Sequence, residues 1–397
     1  MKLKTILLSA LMTSVLLIST AQAETQTAPE AVTKEPIKIG DSFAYASFAR
    51  FGGPYKKGWQ LAVEDINRNG GVCITDNDCR PFQVVSIDHT ADPANAQRIV
   101  SGLIERDQVK ALTGTVLTNV TNAIGSYVGQ AKIPLITTWS SVLAKDGPQN
   151  DYMFSMMPVE PHSMASAEFA ATLPIKKWAL IGPDIAWGRT GNELFKQHLK
   201  KLRPDVEFVT EQWPPLMKFN ATSEFAALRQ AQPEGVFSTL FGTDFFSFVR
   251  EGKRLGFFDG KTVIATEAGQ KAHLDVIGKE MSPGTWYGTG YSPQNFSSPA
   301  HKKFYESYKL KYGEEPELYS LAAYNIYITL AKAIEKAGST DADAISKALV
   351  GLEAETPMGK VKIFSNHRAN FGVWLGPSIN GKLVNEKYYD AARYIGD

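Results

Sequence analysis

From Pro36 onward the sequence alternates short apolar runs with amphipathic stretches, and it does so twice. Residues 37–40 (IKIG) read as a strand that ends on a glycine. Residues 54–69 follow, with Tyr55, Trp59, Ala62, Val63 and Ile66 spaced to form one buried helical face. Asn69-Gly70-Gly71 stops that helix. Strands are predicted at 82–87, 109–113 and 132–137. Between them lies a helix capped by Asp92, with Pro93 in its first position, and a second helix beginning near Thr118. The scheme then restarts, with strands at 178–182, 206–211, 236–240 and 262–265 and helices at 188–201, 223–231 and 244–255. Long helices are expected at 299–312 and 318–337, and short strands near 359–363, 371–375 and 382–388. Two consecutive βαβα runs imply an α/β protein with two Rossmann-like units, each a parallel sheet between helices.

Length and composition agree. The 397 residues suit two domains, and a hydrophobic content of 44% supports large cores. Lys and Arg total 42 against 41 Asp and Glu, with no run of five like charges. That balance speaks against nucleic acid as a partner, since a basic stripe is absent, and against a polybasic membrane-surface protein.

The first 23 residues read as a cleaved secretory signal peptide. Lys2 and Lys4 form a positive start, an apolar stretch follows, and Ala21-Gln22-Ala23 supplies the small residues of a cleavage site. The apolar stretch falls short of the ~20 residues a membrane span needs. Cleavage would leave 40 basic against 41 acidic residues. Residues 24–35 are polar and aperiodic and read as a flexible tether. Export implies an oxidising compartment, where Cys73 and Cys79, in the turn-rich GGVCITDNDCRP, are expected to form a local disulfide. Free thiols are the alternative. Asp76-Asn77-Asp78 inside this loop lacks the glycine and distal glutamate of a calcium loop.

Reaction machinery is missing. No dinucleotide or P-loop glycine motif, no H-E-x-x-H and no G-x-S-x-G occurs, and the six histidines lack metal-ligand spacing. The expectation is no enzyme, no cofactor and no metal. An α/β sheet without such machinery still offers a crevice at the carboxyl ends of its strands. Three strand ends here are rich in polar groups. Thr118 and Asn119 begin a helix, where free N–H groups suit a carboxylate; ordinary N-capping by either residue is the plainer alternative. Trp139, Ser140 and Ser141 follow the strand at 132–137. Glu267 follows the strand at 262–265, either as a cleft carboxylate or as a solvated residue at a helix start.

These strand ends, in this order, resemble the type I periplasmic solute-binding proteins of ABC importers, nearest to the branched-chain amino-acid (Leu/Ile/Val-binding) group. The resemblance runs from about 36 to 388. It rests on IKIGDSFAYASFARFGGPYKKGWQLAVEDINRNGGV, DHTADPANAQRIVSGLIERDQVKALTG, KIPLITTWSS, KWALIGPDIAWGRTGNELFKQHLKK and GKRLGFFDGKTVIATEAG. It implies two lobes joined by three crossings, with the ligand closed in the cleft between them. Lobe one would comprise 36–156 with 289–357, and lobe two 157–288 with 358–397. It also implies a small-molecule ligand, an ABC permease as partner, a periplasmic location and a monomer. Carried over residue by residue, Thr118 and Ser141 match the hydroxyls that hold the ligand carboxylate, with backbone groups at Trp139. Glu267 matches the partner of the ligand ammonium. Trp187 and Phe51 match aromatics that cover the ligand from either lobe. Two positions depart from the pattern. Phe241 stands where amino-acid binders carry a tyrosine that meets the ammonium, and Trp139 where relatives have a small residue. An aromatic cage of this kind suits a cation or an aromatic or aliphatic acid equally. A ligand sensor of the same fold is the competing function.

Overall fold

The structure, a computed structural model, describes residues 34–139 and 150–396. The expected signal peptide, the tether up to residue 33, and Ser140 and Ser141 lie outside the described residues. In chain order the first elements are β1 (Ile37–Phe43), α1 (Ala49–Arg68), β2 (Val72–Thr75), β3 (Asp78–Arg80), β4 (Phe82–Asp88), α2 (Pro93–Glu105), β5 (Ala111–Gly114), α3 (Thr118–Ala131), β6 (Leu135–Trp139) and β7 (Met153–Met157). Strands β4, β1, β5, β6 and β7 form one five-stranded sheet, parallel throughout. Every residue of β5, β6 and β7 is buried, as expected of parallel strands covered on both faces.

The second unit comprises α4 (Glu160–Ala171), β8 (Lys177–Ile181), α5 (Ala186–Leu202), β9 (Glu207–Gln212), α6 (Ala221–Ala231), β10 (Gly235–Ser238), α7 (Gly242–Arg254), β11 (Thr262–Ala265), α8 (Lys271–Ile277) and β12 (Trp286–Gly290). The remaining elements are α9 (Pro299–Tyr312), α10 (Leu318–Ala337), α11 (Ala342–Leu349), β13 (Glu353–Thr356), β14 (Gly359–Lys362), β15 (Val373–Ile379), β16 (Lys382–Leu383), β17 (Lys387–Tyr389) and α12 (Ala392–Ile395). The second sheet has the order β16-β15-β12-β11-β10-β8-β9, with β17 also on β15. It is parallel from β9 to β12, and β15 then runs antiparallel to β12, β16 and β17. The βα alternation does not announce this antiparallel edge, because β15 arrives from outside the repeating unit.

The long helix α10 returns to the first sheet and packs along α1. Gly58 makes that approach possible: a Cβ there would lie 2.2 Å from the Ser320 carbonyl oxygen. A capping box between Glu317 and Ser320 starts α10. The Asp92 carboxylate caps α2 by accepting the Asn95 N–H at 2.6 Å, with Pro93 in the first position. Helix α1 begins at Ala49, ahead of the expected Pro54, because the Phe48 carbonyl already accepts from Phe51 and Gly52. Cys73 and Cys79 are bonded across the β2–β3 hairpin, with no free cysteine left.

The chain passes between the sheets three times. It does so from β7 into α4, from β12 through 291–298 into α9, and from β14 through 363–372 into β15. The first and third passages run side by side. Ser155 N–H donates to the His367 carbonyl at 3.0 Å, and Ala369 N–H donates to that of Ser155 at 2.9 Å. A buried Arg368–Glu160 ion pair adds to them. No helix among the described residues is long and apolar enough to cross a membrane.

Candidate functional site

The carboxyl ends of the two sheets face each other across one crevice. Strand β5 ends at Gly114, whose φ of +104° lets the backbone cross over β1; a Cβ there would lie 2.3 Å from the Ser42 carbonyl oxygen. Leu117 then occupies the N-cap of α3, and its apolar side chain caps nothing. Thr118 therefore opens the helix as a buried residue lining the crevice, at the positive end of the helix dipole. Asn119 points elsewhere: it is exposed and does not line the crevice. Trp139 closes β6 from the same side. From the second sheet come Trp187 in the first turn of α5, Phe241 at the N-cap of α7, and Glu267 after β11. Phe51 reaches in from α1. Six of the nine residues singled out from the sequence thus share one cavity.

Five further residues complete the lining: Phe48, Val116, Leu117, Ile185 and Tyr319. Val116, Leu117 and Ile185 adjoin recognised positions and could have been found from them. Tyr319 could not, because it arrives on α10. The crevice, counted with its mouth to solvent, holds about 490 Å³ free of protein atoms. Aromatic contacts span it. Phe48 and Phe241 lie 6.0 Å apart between ring centroids, Trp139 meets Trp187 edge-on at 5.0 Å, and Phe51 lies 5.4 Å from His273.

Glu267 is the one charged residue lining the cavity among the described residues. Burial pushes its carboxyl up to about 8. Beside it, burial and the charge of Arg50 push His273 down to about 3. The His273 tautomer follows from its partners. Gly242 N–H donates to Nε2 at 2.9 Å, so the ring proton sits on Nδ1. Nδ1 lies 3.3 Å from Glu267 Oε2, yet off the line of a hydrogen bond, and both atoms are buried without a partner.

This arrangement predicts a stability that depends on pH. The folded chain holds the Glu267 proton up to about 8, whereas an unfolded glutamate loses it near 4.5. The contribution of Glu267 is full below 4.5 and is lost as pH rises through 8. His273 acts in the opposite sense, but only below its ordinary value of 6.5. From pH 6.5 to 8 the Glu267 contribution alone should therefore fall by about 2 kcal/mol. Thermal melts across that interval should show a larger decline in the wild type than in Glu267→Gln. Parallel curves would show that Glu267 titrates as an exposed residue does.

Comparison with known proteins places this geometry. Residues 37–382 match the periplasmic binding protein family. Leu/Ile/Val-binding protein homolog 7 of Brucella abortus is 24% identical over 385 residues, covering 90% of this chain and 92% of that protein. Among solved structures, the LivJ substrate-binding protein of Streptococcus pneumoniae, in complex with isoleucine, superimposes with a TM-score of 0.78. It is 20% identical, and the match covers 90% of this chain and all of that one (100%). An ABC-transporter solute-binding protein of Rhodopseudomonas palustris BisB5, in complex with 3,4-dihydroxybenzoic acid, gives 0.79. It is 21% identical, with 90% of this chain and 98% of that one covered. The chain belongs to the periplasmic binding protein family, whose members are extracytoplasmic solute-binding proteins, and has the type I fold of the Leu/Ile/Val-binding branch.

Proposed function

We propose that this protein is the solute-capturing component of an ABC importer, exported by its N-terminal signal peptide, which closes on a small carboxylate-bearing solute and delivers it to a membrane permease. The observation that carries this reading is the cavity itself. It lies between the carboxyl ends of two sheets, has the first turn of α3 with Thr118 on one side, and is walled by aromatic rings from both units. The carboxylate would sit at that first turn, where the positive end of the helix dipole favours an anion. An amino acid or a close analogue would place its ammonium by Glu267.

A second reading has its own support. Phe241 offers no hydroxyl to an ammonium, and the buried Glu267 is held protonated near neutrality. Both suit an aromatic or aliphatic acid without an amine, the class that the Rhodopseudomonas palustris relative holds.

A thermal-shift screen of amino acids and organic acids tests the function. A solute at 100 times its Kd should add about 2.7 kcal/mol of stability. Small-angle scattering with and without the best hit then tests closure. The three passages between sheets should act as a hinge, so the radius of gyration should fall on binding. A bound solute with an unchanged radius would overturn the closing mechanism.

A further inference from the structure

We propose that the indole N–H of Trp139 reads a hydrogen-bond acceptor on the solute, and that His162 is the positioning residue that holds it ready; the first half rests on the solute-capture reading above. Trp139 lines the cavity, is only 5% exposed, and its Nε1 is buried without a partner. Native folds rarely leave such a donor unpaired without a use for it. Its neighbours in the same region are satisfied. The Trp187 indole donates to the Thr239 carbonyl at 3.1 Å, and that of Trp59 to the Tyr45 hydroxyl at 3.0 Å. The other indole nitrogen buried without a partner among the described residues, on Trp178, lies in the core of the second sheet and lines no part of the crevice.

The Trp139 ring is fixed from behind. His162, in the first turn of α4, stacks on it at 4.4 Å with an interplanar angle of 28°, and the edge of Trp187 meets it at 80°. His162 is itself locked. The Thr289 hydroxyl donates to the Thr266 carbonyl at 2.9 Å, so it accepts from His162 Nδ1–H at 2.7 Å. Burial pushes the His162 pKa down to about 3, so the ring is neutral and this bond fixes its proton on Nδ1. His162 and Thr289 flank the first two passages between the sheets, while Trp139 belongs to the other sheet. The stack therefore bridges the two units beside the passages that join them, and presents the N–H to a flat, mostly apolar solute bearing an oxygen acceptor.

The test uses indole ¹⁵N spectra of the mature chain, which holds seven tryptophans. Trp139→Phe identifies the Trp139 signal by its loss. Without ligand, His162→Gln should shift that signal and speed its hydrogen exchange roughly tenfold, with the other indoles unmoved. His162→Phe, which keeps a flat face, should restore much of the wild-type position. An unmoved Trp139 signal in His162→Gln would overturn the positioning role. Benzoate and L-leucine then serve as probes. Where a probe binds, the Trp139 N–H should move downfield and Trp139→Phe should weaken binding about tenfold. Binding reported by other indoles with Trp139 silent would overturn the donor role alone. If no indole responds to either probe at millimolar concentration, the capture reading falls and the donor role with it. The ligand-free spectra still decide the role of His162.

Discussion

Replacing Asp41 by alanine should cost about 4 kcal/mol of folding stability, one of the largest single-residue effects expected in this protein. Asp41 lies fully buried near the end of β1, where burial raises its pKa and surrounding hydroxyls offset that cost. Tyr55 donates to Oδ1 at 2.9 Å, Ser86 to Oδ2 at 2.7 Å, and Tyr45 and Thr113 complete the set. Thr113 and Tyr45 keep other partners in the alanine variant, namely Tyr327 and Trp59. Tyr55 loses its carboxylate acceptor and keeps only the neighbouring Thr113 hydroxyl. The loss therefore combines buried hydroxyls stripped of their carboxylate acceptor with a cavity among well-packed rings. Asp41→Asn keeps an acceptor in place and should cost less than half as much. Urea unfolding at pH 7 measures both, and a loss below 1 kcal/mol for the alanine variant would show that the hydroxyls find other partners.

Glu267→Gln should raise the Kd of an α-amino acid by a hundredfold or more while leaving its deaminated analogue unaffected or better bound. The substitution keeps shape and removes charge. No lysine or arginine lines the cavity among the described residues, and His273 is neutral, so an incoming ammonium would have Glu267 as its counter-charge. Removing one member of a buried charge pair costs about 3–5 kcal/mol. For an acid without an amine, the same substitution removes a group that disfavours a second carboxylate nearby. Calorimetric titration of both proteins with both compounds separates the cases, and equal affinity of the two proteins for the amino acid would refute the counter-charge role.

Much of this was legible in the sequence where local pattern and tertiary structure agree. The amphipathic spacing of α1 and the Asp92–Pro93 start of α2 are local signals, and both elements form. Trp139 and Glu267 were readable because an α/β sheet places whatever follows its strands at one edge, whereas Trp187 and Phe241 were carried over from the family resemblance. Elsewhere the local signal is absent. Helix α4 is buried on nearly every side, so its sequence, EPHSMASAEFAA, shows no polar face to mark its period. Strand β7, MFSMM, lacks the branched residues that announce a strand. Tyr319 and His273 enter the site from α10 and α8, whose positions depend on contacts that no short window contains. His162 read as an isolated histidine; only the fold sets it against Trp139 and Thr289.

The return of α10 to α1 also governs the order in which the protein can fold. The Tyr324 hydroxyl meets the Asp65 carboxylate across a sequence separation of 259. Until that late helix has been synthesised, the face of α1 that carries Gly58, Trp59 and Asp65 lacks its partner helix. The amino-terminal unit therefore cannot mature as an autonomous body while the rest of the chain is still emerging. Closing so long a loop is slow relative to local helix formation. A nascent chain of this design stays loose until α10, at residues 318–337 of 397, has appeared, a state that the proposed export through a narrow channel would require.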